Sequence, residues 1–226
     1  MKIAVISDIH SNLVALEAVM DSIRNEGVEQ VICLGDVVGY GARPNECVEV
    51  IRSNEIPCIL GNHDEAAIGL GDINYFNQWA REAILWTSIN LNEKSKEFLR
   101  GLKFTHEIDD IFFVHASPYE PKSWHYIFSE YEARLSFSSF KQRVCFVGHT
   151  HIPAVFSEPD GRRRIINVGS VGQPRDHDPR ACWELYETDK ESFKLVRVEY
   201  DVEQSSNQVI SGGLPGFLAD RLKSGI

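Results

Sequence analysis

A layered α/β fold is predicted for this chain by two features of its sequence. Short apolar runs of strand length alternate with amphipathic helical stretches through the first sixty residues, and the second half turns to paired strand-like runs separated by turn signals. The length of 226 residues is enough for one large core, and a content of 43% hydrophobic and 25% charged residues excludes a disordered or membrane-spanning chain as the main theme. One domain over 1–226 is expected, with a helical excursion at about 64–101.

The elements follow in order. Lys2 to Ser7 reads as a buried strand, and Leu13, Leu16, Met20 and Ile23 then recur at helical spacing up to Gly27, which can end the helix. Gln30 to Leu34 is a second buried strand, Pro44 to Ser53 a helix opened by proline, and Ile56 to Leu60 a third strand. Trp79, Ala83 and Trp86 share one face of a helix in the excursion, and Glu93 to Leu99 forms another. Strands return at Ile111 to His115 and Arg143 to Val147, around an aromatic-rich loop and a helix from about Ser129 to Phe140. Pro159-Asp160-Gly161 is a turn between Ala154 to Glu158 and Arg163 to Val168. Cys182 to Glu187 and Phe193 to Asp201 form a further hairpin, and a short helix closes the chain.

Charge narrows the partners. Asp and Glu outnumber Lys and Arg 33 to 23, a formal charge of −10, so the average field repels polyanions and disfavours long nucleic acid. A small anion held by a locally cationic site is compatible with that field. The cysteines (Cys33, Cys47, Cys58, Cys145 and Cys182) are odd in number and lack CxxC spacing, so they read as buried thiols of a reducing compartment. The N-terminal KIAVISD is too short for a signal sequence, and no apolar stretch reaches the roughly 18 residues a membrane span needs. A cytoplasmic protein without membrane contact is expected. Oligomeric state is not encoded in any of these patterns.

The chemistry lies where the apolar runs stop. Asp8-Ile9-His10 follows the first strand, Gly35-Asp36 the second and Gly61-Asn62-His63-Asp64 the third, while His115 closes the run Phe112-Phe113-Val114 and Gly148-His149-Thr150-His151 follows Val144 to Val147. Loops at the carboxyl ends of strands in an α/β sheet gather on one edge, where ligands bind. Oxygen and imidazole donors without thiolate suit first-row dications such as Mn²⁺, Fe²⁺, Zn²⁺, Ni²⁺ or Co²⁺. Asp8, His10, Asp36, Asn62, His115, His149 and His151 are too many donors for one ion, so two divalent ions sharing a carboxylate is the economical arrangement. Glycine before Asp36, Asn62 and His149 lets backbone approach without Cβ interference.

This ordered set resembles the calcineurin-like metallophosphoesterases over about residues 3 to 175, and the stretch Gly35 to Gly41, GDVVGYG, is similar to a small bacterial and archaeal phosphodiesterase-like branch. The resemblance implies a four-layer α/β/β/α sandwich of two mixed sheets flanked by helices. It assigns Asp8, His10, Asp36 and His151 to a first metal, with Asp36 bridging to a second completed by Asn62, His115 and His149. Mn²⁺ is the first choice for both, with Fe, Zn, Ni or Co as alternatives. His63 is implied to be the catalytic histidine rather than a ligand, placed to touch a phosphate oxygen or the leaving group, and an imidazole pKa of about 6.5 suits it to protonate a departing alkoxide. Two dications, two carboxylates and a hydroxide leave the centre about +1, so an acidic protein still binds phosphate there.

Protein phosphatase relatives carry an aspartate and an arginine where this chain has Gly39 and Tyr40, so the group that orients His63 is open, between Asp64 and a backbone carbonyl. Arg175 is the candidate phosphate-gripping cation, against an ion pair with Asp176 or Asp178. His125, in Ser123-Trp124-His125-Tyr126, is a candidate substrate contact, unless these aromatics simply pack a loop. The function implied is hydrolysis of a phosphate ester, a small phosphodiester or nucleotide, by in-line attack of a metal-bridging hydroxide. A phosphomonoesterase or dinucleoside polyphosphate hydrolase is the alternative among enzymes. A non-catalytic scaffold of the same fold is the alternative of another class; it expects eroded donors, and every donor is present.

Overall fold

Strand β1 (Lys2–Ile6) is buried on both faces after its first residue, as its unbroken apolar run requires. In the computed structural model, which describes residues 1–226, Ala4 and Ile6 face helices while Ile3 and Val5 face a second sheet. The remaining elements of the first half are α1 (Leu13–Asn25), β2 (Gln30–Cys33), α2 (Pro44–Ser53), α3 (Asn62–Ala67), α4 (Gln78–Asn90) and α5 (Glu93–Arg100). The second half holds β3 (Thr105–Ile108), β4 (Ile111–Val114), α6 (Glu130–Ser136), β5 (Val144–Val147), β6 (Ala154–Ser157), β7 (Arg164–Asn167), β8 (Ala181–Glu187), β9 (Ser192–Val198), α7 (Val202–Ser211) and α8 (Gly216–Ser224).

Two mixed sheets result, in the orders β2-β1-β8-β9 and β3-β4-β5-β7-β6. β1 pairs parallel with β2 and antiparallel with β8, and β5 lies parallel between β4 and β7. The inner faces meet through Ile3, Val5, Ile32 and Leu34 on one side and Phe113, Phe146, Ile166 and Val168 on the other. Phe113 and Phe146 stack with ring centroids 5.7 Å apart, and removal of either ring would cost about 3–5 kcal/mol. The outer face of the first sheet is covered by residues of α1 and α2, and that of the second by Ala133 of α6 with Phe137 and Phe140. This is the expected layering of helices, sheet, sheet and helix. No helix is long and apolar enough to cross a membrane.

Several local expectations are corrected. Ile56 to Leu60 forms only isolated bridges, Cys33 to Cys58 and Ile59 to Lys103; Pro57 has no N–H to extend a ladder. β3 was not anticipated, because Thr105–Ile108 alternates weakly; it pairs antiparallel with β4. The segment after Gly61 is helical from Asn62 onward, with Asp64 accepting from the Gly61 N–H at 3.2 Å in a capping box. In α4 the buried face is Ala80, Ala83, Ile84 and Thr87, whereas Trp79 is 37% exposed and stacks on Phe217 of α8. Trp86 donates its indole N–H to the Gly212 carbonyl at 2.8 Å. The chain closes with two helices rather than one, since α7 and α8 pack on each other and on α4 through Val209, Leu218 and Ala83.

Hydrogen bonds across the chain hold the loops at the carboxyl edge. Asn12 caps α1 through the Ala15 N–H and donates to the Gly172 carbonyl at 2.9 Å. Ser170 Oγ donates to the Asp8 carbonyl, and the Val171 and Gly172 N–H groups donate to the Ser7 and Asp8 carbonyls. Residues 170–175 are thereby laid beside the loop after β1.

Candidate metal centre

The seven donors singled out in the sequence meet at that edge. Asp8 and His10 follow β1, Asp36 follows β2, Asn62 opens α3, His115 follows β4, and His149 and His151 follow β5. All are buried, from 0% exposure for Asp8 and His115 to 8% for Asn62. Five of the seven, Asp8, His10, Asp36, His149 and His151, sit at positive φ between 50° and 66°. Non-glycine residues rarely adopt that conformation, and a cluster of them marks backbone held for a purpose other than packing. A Cβ on Gly61 would overlap the Asp36 carboxylate, and one on Gly148 would overlap Ser7 Oγ and the Asp8 carboxylate. Glycine is required at both positions by this close approach.

The donor atoms are aimed. His10, His115 and His151 each place Nδ1 on a backbone carbonyl, of Val38 at 3.2 Å, Leu34 at 2.9 Å and Gln173 at 2.6 Å. Such a bond fixes the tautomer and turns the Nε2 lone pair inward. The Nε2 atoms of His10 and His151 then lie 3.1 Å apart, with Asp8 Oδ1 3.6 Å and 3.2 Å from them. Asp8 Oδ2 accepts the His149 N–H at 2.9 Å, but Oδ1 is buried with no hydrogen-bond partner. On the other side, Asp36 Oδ1 accepts the His63 N–H, while Oδ2 lies 3.4 Å from His115 Nε2 and 3.7 Å from His10 Nε2. Asn62 Oδ1 is 3.2 Å from His115 Nε2. His149 uses Nε2 on the Trp124 carbonyl, leaving Nδ1 for the centre.

Three groups have donor atoms within 4.8 Å of one another: Asp8, His10 and His151; Asp36, His115 and His149; and, between them, His10, Asp36 and His63. The buried, unpartnered carboxylate oxygen and the opposed imidazole lone pairs fit divalent cations, which would satisfy both. These buried His and Asp clusters are consistent with a dinuclear metal site.

Charge agrees with this fit. Burial opposes ionisation of Asp36, but the surrounding imidazoles, His115 foremost, outweigh it and hold the carboxyl well below its usual range. Asp8 is likewise pulled far down by His151 and its neighbours against the cost of burial. Burial pushes His149 and His151 down to about 3, so both are neutral and carry a free lone pair at neutral pH. His115 is pushed up to about 10 because Asp36 and Asp8 outweigh its burial, a demand for positive charge at that spot.

His63 is 4% exposed and packs against the rings of Tyr40 at 4.5 Å, His10 at 4.8 Å and Phe76 at 4.9 Å. Its Nδ1 is buried without a partner and lies against Gly39, where any Cβ would come within 2.7 Å of it. Neither candidate for orienting it is used. Asp64 spends its carboxylate on the Val38 and Gly61 N–H groups, and no carbonyl bonds the ring. Shape holds His63, in the space that Gly39 leaves open.

A cavity of about 230 Å³ opens over Asp36, Asn62, His63, His149 and His151, with Arg175 at its wall. Arg175 donates to Gln173 Oε1 at 2.9 Å and Tyr40 Oη at 3.3 Å, and its Nε is buried without an acceptor. The ion pairs weighed against a binding role do not form: Asp176 pairs with Arg197 and Asp178 with Arg180. His125 is not brought to the site. It is exposed, stacks on Tyr119 and faces Glu120 at 3.4 Å, because Glu120 and Trp124 adopt left-handed conformations that turn the loop. Its neighbour Tyr126 lines the cavity instead, stacked on His149 with centroids 4.0 Å apart. Tyr40 and Phe76 also line the cavity; Tyr40 lies within the Gly35 to Gly41 stretch, whereas Phe76 carries no signal in the sequence.

A family model described as the calcineurin-like phosphoesterase superfamily domain matches residues 1–191. The uncharacterized protein MJ0912 of Methanocaldococcus jannaschii is 39% identical over 238 residues, covering 97% of this chain and 96% of that protein. The crystal structure of a metallophosphoesterase from Sphaerobacter thermophilus superposes with a TM-score of 0.90 at 39% identity, covering 100% of this chain and 99% of that one. The hypothetical protein PH1004 from Pyrococcus horikoshii OT3 shares the fold, with a TM-score of 0.87 at 22% identity over 100% and 98% of the two chains.

Proposed function

Because the chain belongs to the calcineurin-like phosphoesterase superfamily, we propose that it is a dinuclear metal-dependent enzyme hydrolysing a small phosphodiester or nucleotide. The observation that carries this reading is the placement of Asp36 Oδ2, 3.7 Å from His10 Nε2 and 3.4 Å from His115 Nε2. One oxygen between two donor groups is what a shared ligand needs. Asp8, His10 and His151 complete the site on one side of Asp36, and Asn62, His115 and His149 the other. Mn²⁺ is our first choice, with Fe, Zn, Ni and Co also suited to nitrogen and oxygen donors. When bound, two such ions supply an activated water and neutralise charge on the phosphoryl oxygens.

The chain's own residues do the remaining work. Arg175 has a buried Nε–H without an acceptor at the cavity wall, a donor placed to grip a phosphoryl oxygen. Burial keeps His63 well below its usual pKa, so it is neutral until an anion enters the cavity and favours the protonated ring. A water that gives up one proton bonds through its oxygen to phosphorus as the P–O ester bond breaks, His63 transfers its proton to the departing ester oxygen, and the proton released by the water restores the one His63 has lost. Tyr40 and Phe76 pack the ring and limit the water around it.

The test is metal analysis of the purified protein paired with hydrolysis of bis-para-nitrophenyl phosphate before chelation, after it, and after Mn²⁺ is restored. Two ions per chain with chelator-sensitive hydrolysis is the expected result. Two ions with turnover only of para-nitrophenyl phosphate or dinucleoside polyphosphates would move the substrate to monoesters or pyrophosphates. Failure to bind metal after reconstitution would overturn the enzyme reading in favour of a scaffold.

A further inference from the structure

A second cleft, of about 630 Å³, continues outward from the metal cavity and shares Asn62, Tyr75, Phe76, Tyr126 and His149 with it. Its character differs from the inner cavity. The inner cavity holds Arg175, whereas the outer cleft is lined by Glu65 and Asp72 against a single cation, Lys122. A second phosphate would meet two carboxylates there, so the part of a substrate that enters it carries no negative charge.

The outer walls are aromatic. Tyr75 is 91% exposed, an aromatic side chain left in water at the junction of the two cavities. Tyr126 is 46% exposed, backed by His149 on one side and stacked with Phe128. Trp124 is held by donating its indole N–H to Glu65 Oε2 at 3.1 Å, which fixes both side chains. Only one Glu65 oxygen is used in that bond, so the other is available to accept a proton donor from a ligand. Asp72 accepts the Asn74 backbone and side-chain N–H groups on Oδ1, which holds its carboxylate against its own loop.

From this placement we propose that the outer cleft is a nucleobase subsite, with Tyr75 as the stacking surface, the Tyr126 ring, already stacked on His149 and Phe128, as a fixed wall, and Glu65 as acceptor for an N–H on the base edge. The inference rests on the phosphoesterase reading for the phosphate end and names the substrate class as a nucleoside phosphate ester. The phosphoryl group lies at Arg175 and the base points outward between the aromatic walls. Stacking on such surfaces tolerates any base, and the Glu65 acceptor distinguishes a base from a plain aromatic ring.

The test reads binding rather than turnover, so its failure is separable from failure of the enzyme reading. Dissociation constants for AMP, ribose 5-phosphate and phenyl phosphate are measured by calorimetry on the Mn²⁺-loaded protein and on chelated protein, the latter free of metal-dependent hydrolysis. AMP is expected to bind about tenfold more tightly than either comparator, the scale of one base stacked on an aromatic side chain. Tyr75→Ala, at a position exposed to solvent, should erase most of that preference and leave ribose 5-phosphate unchanged. Equal affinity for AMP and ribose 5-phosphate would overturn the subsite, as would a preference that survives Tyr75→Ala. Phenyl phosphate binding as well as AMP would overturn the assignment to nucleobases.

Discussion

Glu184 should make folding stability fall as pH rises through the neutral range. It lies on β8 opposite Val5, is 3% exposed, and has one carboxylate oxygen without a hydrogen-bond partner. Ala181, Trp183 and Leu185 face the helices, so the alternation of β8 directs Glu184 with Tyr186 into the space between the sheets. Burial alone raises its pKa from 4.5 to about 8. The folded state therefore binds a proton that the unfolded state has released between these values. Stability is fully present below about pH 4.5 and is lost as pH rises through about 8. The full span corresponds to an order of 4–5 kcal/mol, and about 2.5 kcal/mol of it falls between pH 5.5 and 7.5. Urea unfolding of chelated protein at several pH values, beside Glu184→Gln, isolates this contribution because all other titrating groups are common to both. Glu184→Gln should lose about 2.5 kcal/mol of the stability difference between those two pH values. Identical pH slopes for the two proteins would refute the reasoning.

Three further outcomes test the site. His63→Ala should lower turnover by about a hundredfold or more while metal content stays near two; loss of an ion instead would show that His63 is a ligand. Asp36→Asn should weaken both ions together, measured by metal analysis after dialysis, and retention of one ion at full occupancy would remove Asp36 from the bridging position. Arg175→Ala should reduce kcat/KM by about ten- to a hundredfold, the scale of a charge-assisted hydrogen bond, with thermal stability nearly unchanged. Unaltered kinetics would leave Arg175 a structural role with Gln173 and Tyr40.

The donor set was legible because each donor follows an apolar run, and the carboxyl ends of the parallel strands β1, β2, β4 and β5 fall on one edge. Seven separated positions thus converge without their distances being known in advance. What the sequence does not carry is the aim of loop side chains. His125 and Tyr126 are neighbours in a segment without periodicity, and the left-handed backbone at Glu120 and Trp124 decides which of them reaches the cavity. The carbonyls of Leu34, Val38 and Gln173 that orient the imidazoles are invisible for another reason, since every residue has one. Ile56 to Leu60 has strand composition, but its pairing is limited by the proline within it. Gly39 stands where relatives carry an orienting aspartate, and its role is steric, making the room in which His63 sits.

Two of the donor groups draw on both sheets. Asp8 and His10 come from the first and His151 from the second; Asp36 comes from the first, His115 and His149 from the second. Bound cations would then rivet the two halves of the molecule at one rim, joining positions as far apart in the chain as 8 and 151. By linkage, whatever loosens the seam where Ile3 and Val5 meet Phe113 and Phe146 would be felt as weaker metal affinity at a distance, and metal loading would in turn tighten a seam it never touches.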